Sequence, residues 1–561
     1  MRTNPRTQGA NPRAGSKSPK RRWSIHAAHS PTIDYAAARV TENRARLSRS
    51  TRSRRNVAAR RSRRYHPAML LGLAIAGGVL LVALLALFIH DRWISKDNIL
   101  RNYPIVGRFR YWLIDLGPKL RQYIIADNNE ELPFNRDERD WIYRSADGGN
   151  NYFGFGTDDQ ILGIGYPVIK HAVFSHGEVS FSGGAHDKLQ TAGGAKTLGE
   201  VHARPKAWRP PSLVNISAMS FGSLGSHAVE ALNRGAKLAG CYHNTGEGGI
   251  SPYHKTGADI VYQIGTGYFG SRDEAGRFSM EKMLATVGDA PMVKGIEVKL
   301  SQGAKPGKGG VLPGAKVTEE IAKIRGVKPG QDCISPNNHS AFSDVRGLIG
   351  FVEEISKATG LPVGIKSAVG HTGFWTELAQ EMKSSGRGPD WITIDGGEGG
   401  TGAAPMVFTD HVSLPFRVAF PRVYKAFLAE KMADRVAWIA SAKLGFPDRA
   451  IVAICLGADL INIAREAMLS VGCIQAQQCH TGRCPTGVTT HNARLQDGLV
   501  PAVQAQRFSR YIKSFQNELM AVTHACGYQH PSQFTTEDVE ISCGPALFKS
   551  LRELEGYTPA R

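Results

Sequence analysis

The body of the chain alternates between short apolar runs and longer segments with helical periodicity. The apolar runs lie at residues 212–218, 295–300, 362–367, 391–397, 436–441 and 458–464. Runs of this kind are typical of parallel strands that are buried on both faces. Because helical patterns such as SHAVEALNRGAKLAG and KVTEEIAKI lie between them, the pattern predicts an α/β fold, a (β/α)8 TIM barrel. A doubly wound sheet is the alternative, but no GxGxxG motif follows a first strand.

One apolar stretch is much longer than these runs. Residues 69–88, MLLGLAIAGGVLLVALLALF, carry no charge. At about 1.5 Å per residue, a helix of this length spans about 30 Å, the thickness of the hydrocarbon core of a bilayer. We therefore expect an N-terminal transmembrane helix over residues 68–90 and a single-pass membrane protein. A buried core helix or a signal-peptide core is the alternative.

The charge is concentrated ahead of this stretch. Residues 1–67 hold sixteen arginines and two lysines against Asp34 and Glu42, which is +16 of the net charge of +20 and leaves +4 for the rest of the chain. Few large apolar residues occur in this tail, so we expect it to be disordered. The nearly neutral body argues against a specific nucleic-acid-binding protein, whereas a tail that contacts anionic lipid or nucleic acid stays open.

The tail and the apolar stretch give two topologies. The positive-inside rule places the tail in the cytoplasm, and a single span would then send residues 91–561 to the other side. In the second topology the natural start is Met69, and Arg92, Lys96 and Arg101 form the main positive flank. The catalytic body then stays in the cytoplasm, and this is the topology that we expect. Finding a peptide from residues 1–67 in the native protein would contradict this start.

Five parts are predicted along the chain. Residues 98–125 have amphipathic helical spacing, and they either lie on the membrane surface or pack on the body. The parts are a disordered Arg-rich tail (1–67), a transmembrane helix (68–90), a helical juxtamembrane extension (91–160), the barrel (161–500) and a C-terminal helical extension (501–561).

Glycine-rich loops follow the apolar runs. MSFGSLG, NTGEGGISP, SQGAKPGKGGVLPGAK and DGGEGGTGAAP combine glycine with lysine or acidic residues. Glycine lets backbone N–H groups approach an anion closely, and barrel enzymes place their chemistry at the carboxyl ends of the strands. Several such loops in succession favour a cofactor that carries a phosphate.

Three of the eight cysteines stand close together, at positions 473, 479 and 484. Their flanks are polar, which disfavours a purely apolar core site, and eight cysteines in 561 residues do not form a disulfide scaffold. The absence of a CxxC pair disfavours a zinc knuckle. The spacing of the three cysteines remains compatible with an iron–sulfur centre. We expect the remaining cysteines to be buried or inert, at positions 241, 333, 455, 526 and 543.

Five motifs together resemble the central and FMN-binding region of glutamate synthase. ISAMSFGSLG, NTGEGG, QGAKPGKGGVLPG, DGGEGGTGAAP and GCIQAQQCHTGRCPTGV occur in that family's order over residues 160–500. The piece NILRNYPIVGRFRYW and the body are similar to short membrane-anchored relatives, and the methylglutamate synthase-type large subunit is a close cousin. The resemblance implies an FMN-bearing barrel and a [3Fe–4S] cluster ligated by Cys473, Cys479 and Cys484.

The resemblance also implies a reaction. 2-Oxoglutarate and ammonia give 2-iminoglutarate, which is reduced to glutamate with electrons from a partner such as ferredoxin, a flavoprotein or a membrane carrier. A methylglutamate synthase-type transferase subunit that uses an amine, and a non-enzymatic redox or scaffold subunit, are the alternatives. The chain shows no glutaminase domain, so a separate glutaminase subunit is an expected partner.

The family's functional positions carry over to particular residues. Glu247 is expected to bind ammonia or relay protons, Lys299 to stabilise negative charge, and Gln302 and Lys305 to contact substrate. Near the seventh and eighth strands, ASAKLG and NIAR depart from the family's usual sequence. The cofactor-binding positions implied by the resemblance are Ser217, Ala218, Met219, Ser220, Lys366, Gly396, Gly397, Gly399, Gly400, Ser441, Gly445 and Arg465.

Overall fold

The computed structural model describes residues 67–95, 97–177 and 192–560. The chain divides into two compact units, and the boundary in the sequence lies between Leu120 and Arg121. The predicted tail lies outside the described residues except for Pro67, so its disorder stays a prediction. The five predicted domain boundaries likewise stay predictions.

Sixteen α-helices occur in the described residues. They are α1 (Pro67–Ile89), α2 (Asn98–Asn102), α3 (Gly107–Leu120), α4 (Arg136–Asp147), α5 (Ser226–Ala239), α6 (Met280–Gly288), α7 (Glu319–Arg325), α8 (Val345–Thr359), α9 (Gly373–Ser385), α10 (Met406–His411), α11 (Phe416–Ala429), α12 (Pro447–Cys455), α13 (Arg465–Ser470), α14 (Ala493–Gln496), α15 (Pro501–Ala525) and α16 (Leu551–Glu555).

Thirteen strands occur in the same ranges. They are β1 (Pro167–Ile169), β2 (Val214–Ile216), β3 (His243–Asn244), β4 (Ile260–Ile264), β5 (Val293–Lys299), β6 (Val311–Leu312), β7 (Cys333–Ile334), β8 (Val363–Ser367), β9 (Trp391–Asp395), β10 (Ala437–Ser441), β11 (Leu460–Ile463), β12 (Val539–Gly544) and β13 (Leu547–Ser550).

The first unit contains the apolar helix. Leu71–Ile94 is a candidate membrane span of 24 residues with a mean hydropathy of 2.7, and none of its most apolar window is buried in the protein. By length and composition this helix can cross a bilayer. Further along the unit, the rings of Phe109 and Trp112 stack at 5.4 Å on the exposed side of α3. This exposed aromatic pair is compatible with a position at the lipid surface.

The second unit is built around a closed parallel barrel, which confirms the predicted fold class. Its strand order is β2-β3-β4-β5-β8-β9-β10-β11, and β11 pairs with β2 to close it. The six predicted runs overlap β2, β5, β8, β9, β10 and β11. The sequence pattern missed β3, which has two residues, and β4.

Burial explains why these segments form strands. Every residue of β4, β8, β9 and β10 is buried, as is expected when helices cover the outer face and side chains fill the interior. Four of the surrounding helices, α5, α7, α8 and α9, end on glycines in the left-handed region, such as Gly240 (φ +72°) after α5. These stops return the chain to the amino-terminal end of the barrel.

Elements outside the barrel close the body of the chain. Strand β1 pairs antiparallel with β12, and β12 pairs with β13. The long helix α15 packs against α4 and α5. The C-terminal extension, predicted as helical, is therefore helical in its first part and contains a β-hairpin towards its end.

Candidate active site at the barrel mouth

Three of the four predicted catalytic residues are hydrogen bonded to one another at the carboxyl ends of the strands. Lys299 is the last residue of β5, and its Nζ donates to Glu247 Oε1 (2.9 Å) and to Gln302 Oε1 (2.7 Å). Gln302 in turn donates to the Thr401 hydroxyl (3.2 Å). The strand end and three loops that follow barrel strands therefore meet at one point.

Lys305, the fourth predicted catalytic residue, lies in the same charge environment. Its Nζ donates to the Ala403 carbonyl (2.8 Å), and its side chain is buried. Burial, together with repulsion from Lys299, lowers the pKa of Lys305 to about 8. An amine with this pKa exchanges a proton readily near neutral pH.

Glu247 remains ionised in this setting. Burial acts to raise the pKa of Glu247, but the positive charges of Lys299, Arg325 and Lys305 outweigh burial and lower the pKa below its ordinary value. Space for the carboxylate depends on two glycines. A Cβ at Gly265 would lie 2.4 Å from Glu247 Oε2, and a Cβ at Gly310 would lie 2.6 Å from Oε1.

The predicted cofactor-binding residues of the barrel strands are joined by a residue that the sequence reasoning did not select. Asp395, at the end of β9, lies 3.4 Å from Lys366 Nζ and accepts a hydrogen bond from the Ser441 hydroxyl (3.3 Å). The hydroxyls of Ser441 and Ser217 are 3.3 Å apart. Four strands thus direct polar side chains towards the mouth of the barrel. Asp395 stood in the quoted DGGEGG motif, but its role depends on neighbours that are distant in sequence.

The predicted loop of Ala218, Met219 and Ser220 packs on the loop that carries Glu247. A Cβ at Gly246 would lie 2.6 Å from the Ser220 backbone nitrogen, so only glycine allows the two loops to approach this closely. The guanidinium of Arg325 donates to the Ser220 hydroxyl (3.3 Å). This arginine was not predicted as a site residue.

The predicted glycines after β9 make room for neighbouring side chains and backbone. A Cβ at Gly400 would lie 2.5 Å from the Arg465 side chain, which also donates to the Glu398 carbonyl. A Cβ at each of the other three would approach a neighbouring atom within about 3 Å; these are Gly396, Gly397 and Gly399.

Cations gather around the loops after β10 and β11. Lys443 Nζ lies 4.7 Å above the ring of Phe134, and the Arg465 guanidinium lies 5.2 Å from it. Glu138 accepts from both Lys443 and Arg449, but Arg449 Nη1 is buried without a hydrogen-bond partner. The three cations and this unpaired donor fit a phosphate group.

The backbone N–H and carbonyl of Gly445 are already hydrogen bonded within the protein. Its N–H donates to the Glu466 carboxylate (3.0 Å), and its carbonyl accepts from the Tyr511 hydroxyl (2.8 Å). The predicted contact between Gly445 and a phosphate therefore stays a prediction.

The three cysteines of the 473–484 loop occupy partly exposed to buried positions. The Tyr143 hydroxyl donates to the Cys473 carbonyl (2.8 Å), and burial raises the pKa of the Cys473 thiol to about 12. At Cys484 burial also acts to raise the pKa, but hydrogen bonds, foremost that of Thr486, outweigh it and lower the pKa.

Three soft sulfur donors suit iron. Within the described ranges, however, no group of three or more His, Cys, Asp or Glu side chains is spaced to hold a metal ion. The assignment of the three ligands therefore stays a prediction. Four of the remaining cysteines are buried and Cys543 is partly exposed, in general agreement with expectation.

The opposite end of the barrel carries a charged network of another kind. Arg204 donates to both oxygens of Glu353 (2.7 Å each) and to Asp390 (3.1 Å), and His202 lies 2.7 Å from Asp390. A cavity of about 190 Å³ lies beside Asp390 and Ala437. Because Asp390 directly precedes β9 and Ala437 begins β10, this cavity lies away from the candidate active site.

Comparisons with known proteins agree with the motifs. A family model described as "Conserved region in glutamate synthase" matches residues 183–529. The chain is 39% identical over 483 residues to the "Glutamate synthase large subunit-like protein YerD" of Bacillus subtilis (strain 168), covering 81% of this chain and 91% of YerD. It is 33% identical over 351 residues to the archaeal-type glutamate synthase (NADPH) of Thermotoga maritima, covering 62% of this chain and 65% of that protein.

Solved structures give a weaker match. A flavocytochrome b2 variant with sulfite bound aligns with 12% identity and a TM-score of 0.40, over 81% of this chain and 91% of that one. This likeness is too small to carry an argument about ligands.

Proposed function

Since the chain belongs to the glutamate synthase family, a family of oxidoreductases, we propose that it uses FMN and a [3Fe–4S] cluster to reduce 2-iminoglutarate to glutamate. The observation that carries this proposal is the hydrogen-bonded cluster of Glu247, Lys299 and Gln302, with the buried Lys305 beside it. It combines one ionised carboxylate with two ammonium groups where barrel enzymes bind substrate.

The charges fit the substrates. 2-Oxoglutarate carries two carboxylates, and Lys299 and Lys305 provide positive charge to bind them. Ammonia is present at neutral pH as ammonium. Glu247, whose pKa is lowered, stays ionised and can bind the ammonium ion by charge. The fraction of Lys305 that is neutral, with a pKa of about 8, is the stronger base and can accept the proton, which frees the nitrogen to attack the carbonyl carbon.

The proposed reaction takes place in two stages. Addition of ammonia to 2-oxoglutarate and loss of water give 2-iminoglutarate. The imine takes up two electrons and two protons to become glutamate, and Lys305 is placed to hold and return a proton. The electrons come from a partner, ferredoxin or a flavoprotein.

FMN, when bound, supplies hydride chemistry, and an iron–sulfur cluster supplies single-electron transfer. On the side of the protein, the residues proposed to hold the flavin are those of the Ser217–Asp395–Ser441 chain with Lys366, and the loop of Ala218, Met219 and Ser220. The cations Lys443, Arg449 and Arg465 would hold its phosphate. Cys473, Cys479 and Cys484 would hold the cluster.

We further propose that Leu71–Ile94 anchors the protein in a membrane as a single span, with the catalytic body in the cytoplasm. At about 1.5 Å per residue its 24 residues extend about 36 Å, enough to cross the hydrocarbon core. The full chain should remain with the membrane fraction after an alkaline wash. Replacing Leu80 and Leu84 by arginine should release it, and retention of this variant would contradict the anchor.

One assay tests the proposed reaction. Cofactor-loaded protein is given a reduced electron donor, 2-oxoglutarate and either ammonia or methylamine, and the products are separated by mass. Glutamate formation supports the proposal. Preference for methylamine with formation of N-methylglutamate would favour the methylglutamate synthase-type transferase. No turnover of either amine would favour a non-enzymatic redox or scaffold subunit.

A further inference from the structure

Lys316 is a buried cation without a carboxylate partner. It ends the short 3₁₀ turn Gly314–Lys316, and 4% of its surface is exposed. Its Nζ donates to the Ser223 carbonyl (3.1 Å) and, more weakly, to the Cys479 carbonyl (3.4 Å). In the part of the chain that the structure describes, no Asp or Glu oxygen lies within 4.0 Å of this nitrogen.

The two carbonyls belong to different loops. Ser223 lies in the loop after β2, which includes the proposed flavin contacts Ser217 and Ser220. Cys479 lies in the loop of the proposed cluster ligands. A single ammonium group therefore ties the two loops together.

A second cation reinforces this arrangement. Arg325, at the end of α7, is also 4% exposed, and it donates to the Phe221 carbonyl (3.0 Å) and the Ser220 hydroxyl (3.3 Å). Its Nε is buried without a partner. Burying charge is costly unless an opposite charge compensates it. Arg325 already acts on the ionised Glu247, whereas Lys316 has only carbonyl oxygens as partners, so Lys316 points to an anion that these carbonyls do not provide.

The nearby groups that can become anionic are the thiols of the cysteine loop, because the Cys479 carbonyl of that loop lies 3.4 Å from Lys316 Nζ. Three thiolates outweigh the positive charge of a [3Fe–4S] core, so the ligated cluster is negative in both oxidation states. Reduction adds one electron and makes the cluster more negative, so a neighbouring ammonium stabilises the reduced state more than the oxidised state.

We propose that Lys316 is a positioning residue that serves as the counter-charge of the iron–sulfur cluster and ties its loop to the loop beside the flavin. It thereby raises the reduction potential of the cluster. This inference rests on the proposed function, since it requires that the cluster be present.

The test compares charge with hydrogen bonding at one position. The variants are Lys316→Met, which removes both, Lys316→Gln, which keeps a donor without charge, and Lys316→Arg, which keeps the charge. Lys323→Met, an exposed lysine of α7, is the matched control. Anaerobically reconstituted full-length proteins are analysed for iron and flavin content, and the cluster is titrated with a reductant while its electron paramagnetic resonance signal is recorded.

We expect the potential to follow the charge. In Lys316→Met and Lys316→Gln the cluster should be at least tenfold harder to reduce, a shift of about 59 mV to more negative values for one electron. Lys316→Arg should return most of this shift, and Lys323→Met should match the unsubstituted protein. If Lys316→Met does not fold, Lys316→Gln carries the same test.

The outcomes separate this inference from the proposal beneath it. If the unsubstituted protein binds no cluster, the cluster assignment itself fails. If the cluster is present and the potentials of Lys316→Gln and Lys316→Arg agree with that of the unsubstituted protein, the role of Lys316 is overturned while the proposed function stands.

Discussion

The two ends of the barrel treat buried charge differently. At the amino-terminal end, Arg204 is paired with Glu353 and Asp390, so the buried charges have partners of opposite sign within the chain. At the mouth, the buried cations Lys299, Lys305 and Arg325 surround Glu247, and Lys366 pairs with Asp395. Lys316 is buried there too, but no Asp or Glu oxygen of the described residues lies within 4.0 Å of its nitrogen. Paired charge holds loops in place, whereas unpaired positive charge favours anions, and the proposed 2-oxoglutarate, FMN phosphate and thiolate-ligated cluster are all anionic.

The largest effect is expected at the cysteine loop of the mouth. Cys479→Ser should abolish the broad visible absorbance of the cluster while flavin remains bound, because a hydroxyl is a poor ligand for iron. Absorbance spectra and iron analysis of the purified protein measure this. Cys543→Ser, outside the loop, serves as the control, and full iron content in Cys479→Ser would contradict the ligand assignment.

The next effect is expected at the carboxylate of the mouth. Glu247→Gln keeps the shape of the side chain but removes the negative charge proposed to bind ammonium, so turnover with ammonia should fall by about 100-fold or more. Bound flavin should be unchanged, which absorbance at saturation checks. Turnover within twofold of the unsubstituted enzyme would remove Glu247 from the proposed mechanism.

At the amino-terminal end of the barrel, a substitution should lower the stability of the protein and leave catalysis intact. Arg204→Met leaves the buried carboxylate of Asp390 without its guanidinium, which is expected to cost about 3 kcal/mol or more. The measurement is thermal unfolding, with turnover per folded molecule as the second readout.

The matched control breaks an exposed ion pair. Arg346, whose side chain is 82% exposed, lies 3.3 Å from Glu381, and Arg346→Met should cost less than about 1 kcal/mol. Equal losses in Arg204→Met and Arg346→Met would erase the contrast between buried and exposed pairs.

Two buried histidines should make the stability of the protein depend on pH. Burial lowers the pKa of His243 to about 3, and burial together with His243 lowers the pKa of His254 well below 6.5. The unfolded chain therefore binds more protons below pH 6.5, and stability should fall as the pH decreases from about 6.5 towards 3. The expected slope is about 1.4 kcal/mol per pH unit for each histidine.

Thermal unfolding between about pH 5 and pH 8 measures this slope. His243→Gln should reduce it, and replacing the exposed His411 by Asn should leave it unchanged. A slope that His243→Gln does not alter would show that other groups cause the acid sensitivity.

The sequence predicted the barrel better than it predicted the contacts at its mouth. Strands such as β8 and β10 are short buried runs rich in apolar residues, and their pattern is visible without an alignment. Strand β3, with two residues, is too short to produce a pattern, and the buried run of β4 was overlooked.

Site residues within recognisable motifs, such as Glu247 and Cys479, could be predicted through the family resemblance. Asp395, Lys316 and Arg325 could not be selected in the same way, although two of them lie in quoted motifs. Their roles depend on neighbours such as Ser441, Cys479 and Ser220, which are about 50 to 160 residues away in the sequence and meet only after folding.

The small antiparallel sheet has a consequence for synthesis on the ribosome. Strand β1 leaves the ribosome early, but its partner β12 is made about 370 residues later. At about 5 to 20 residues per second, the first strand waits roughly 20 to 70 s with its backbone edge unpaired. Nascent chains of this protein should therefore depend on chaperones until translation is complete.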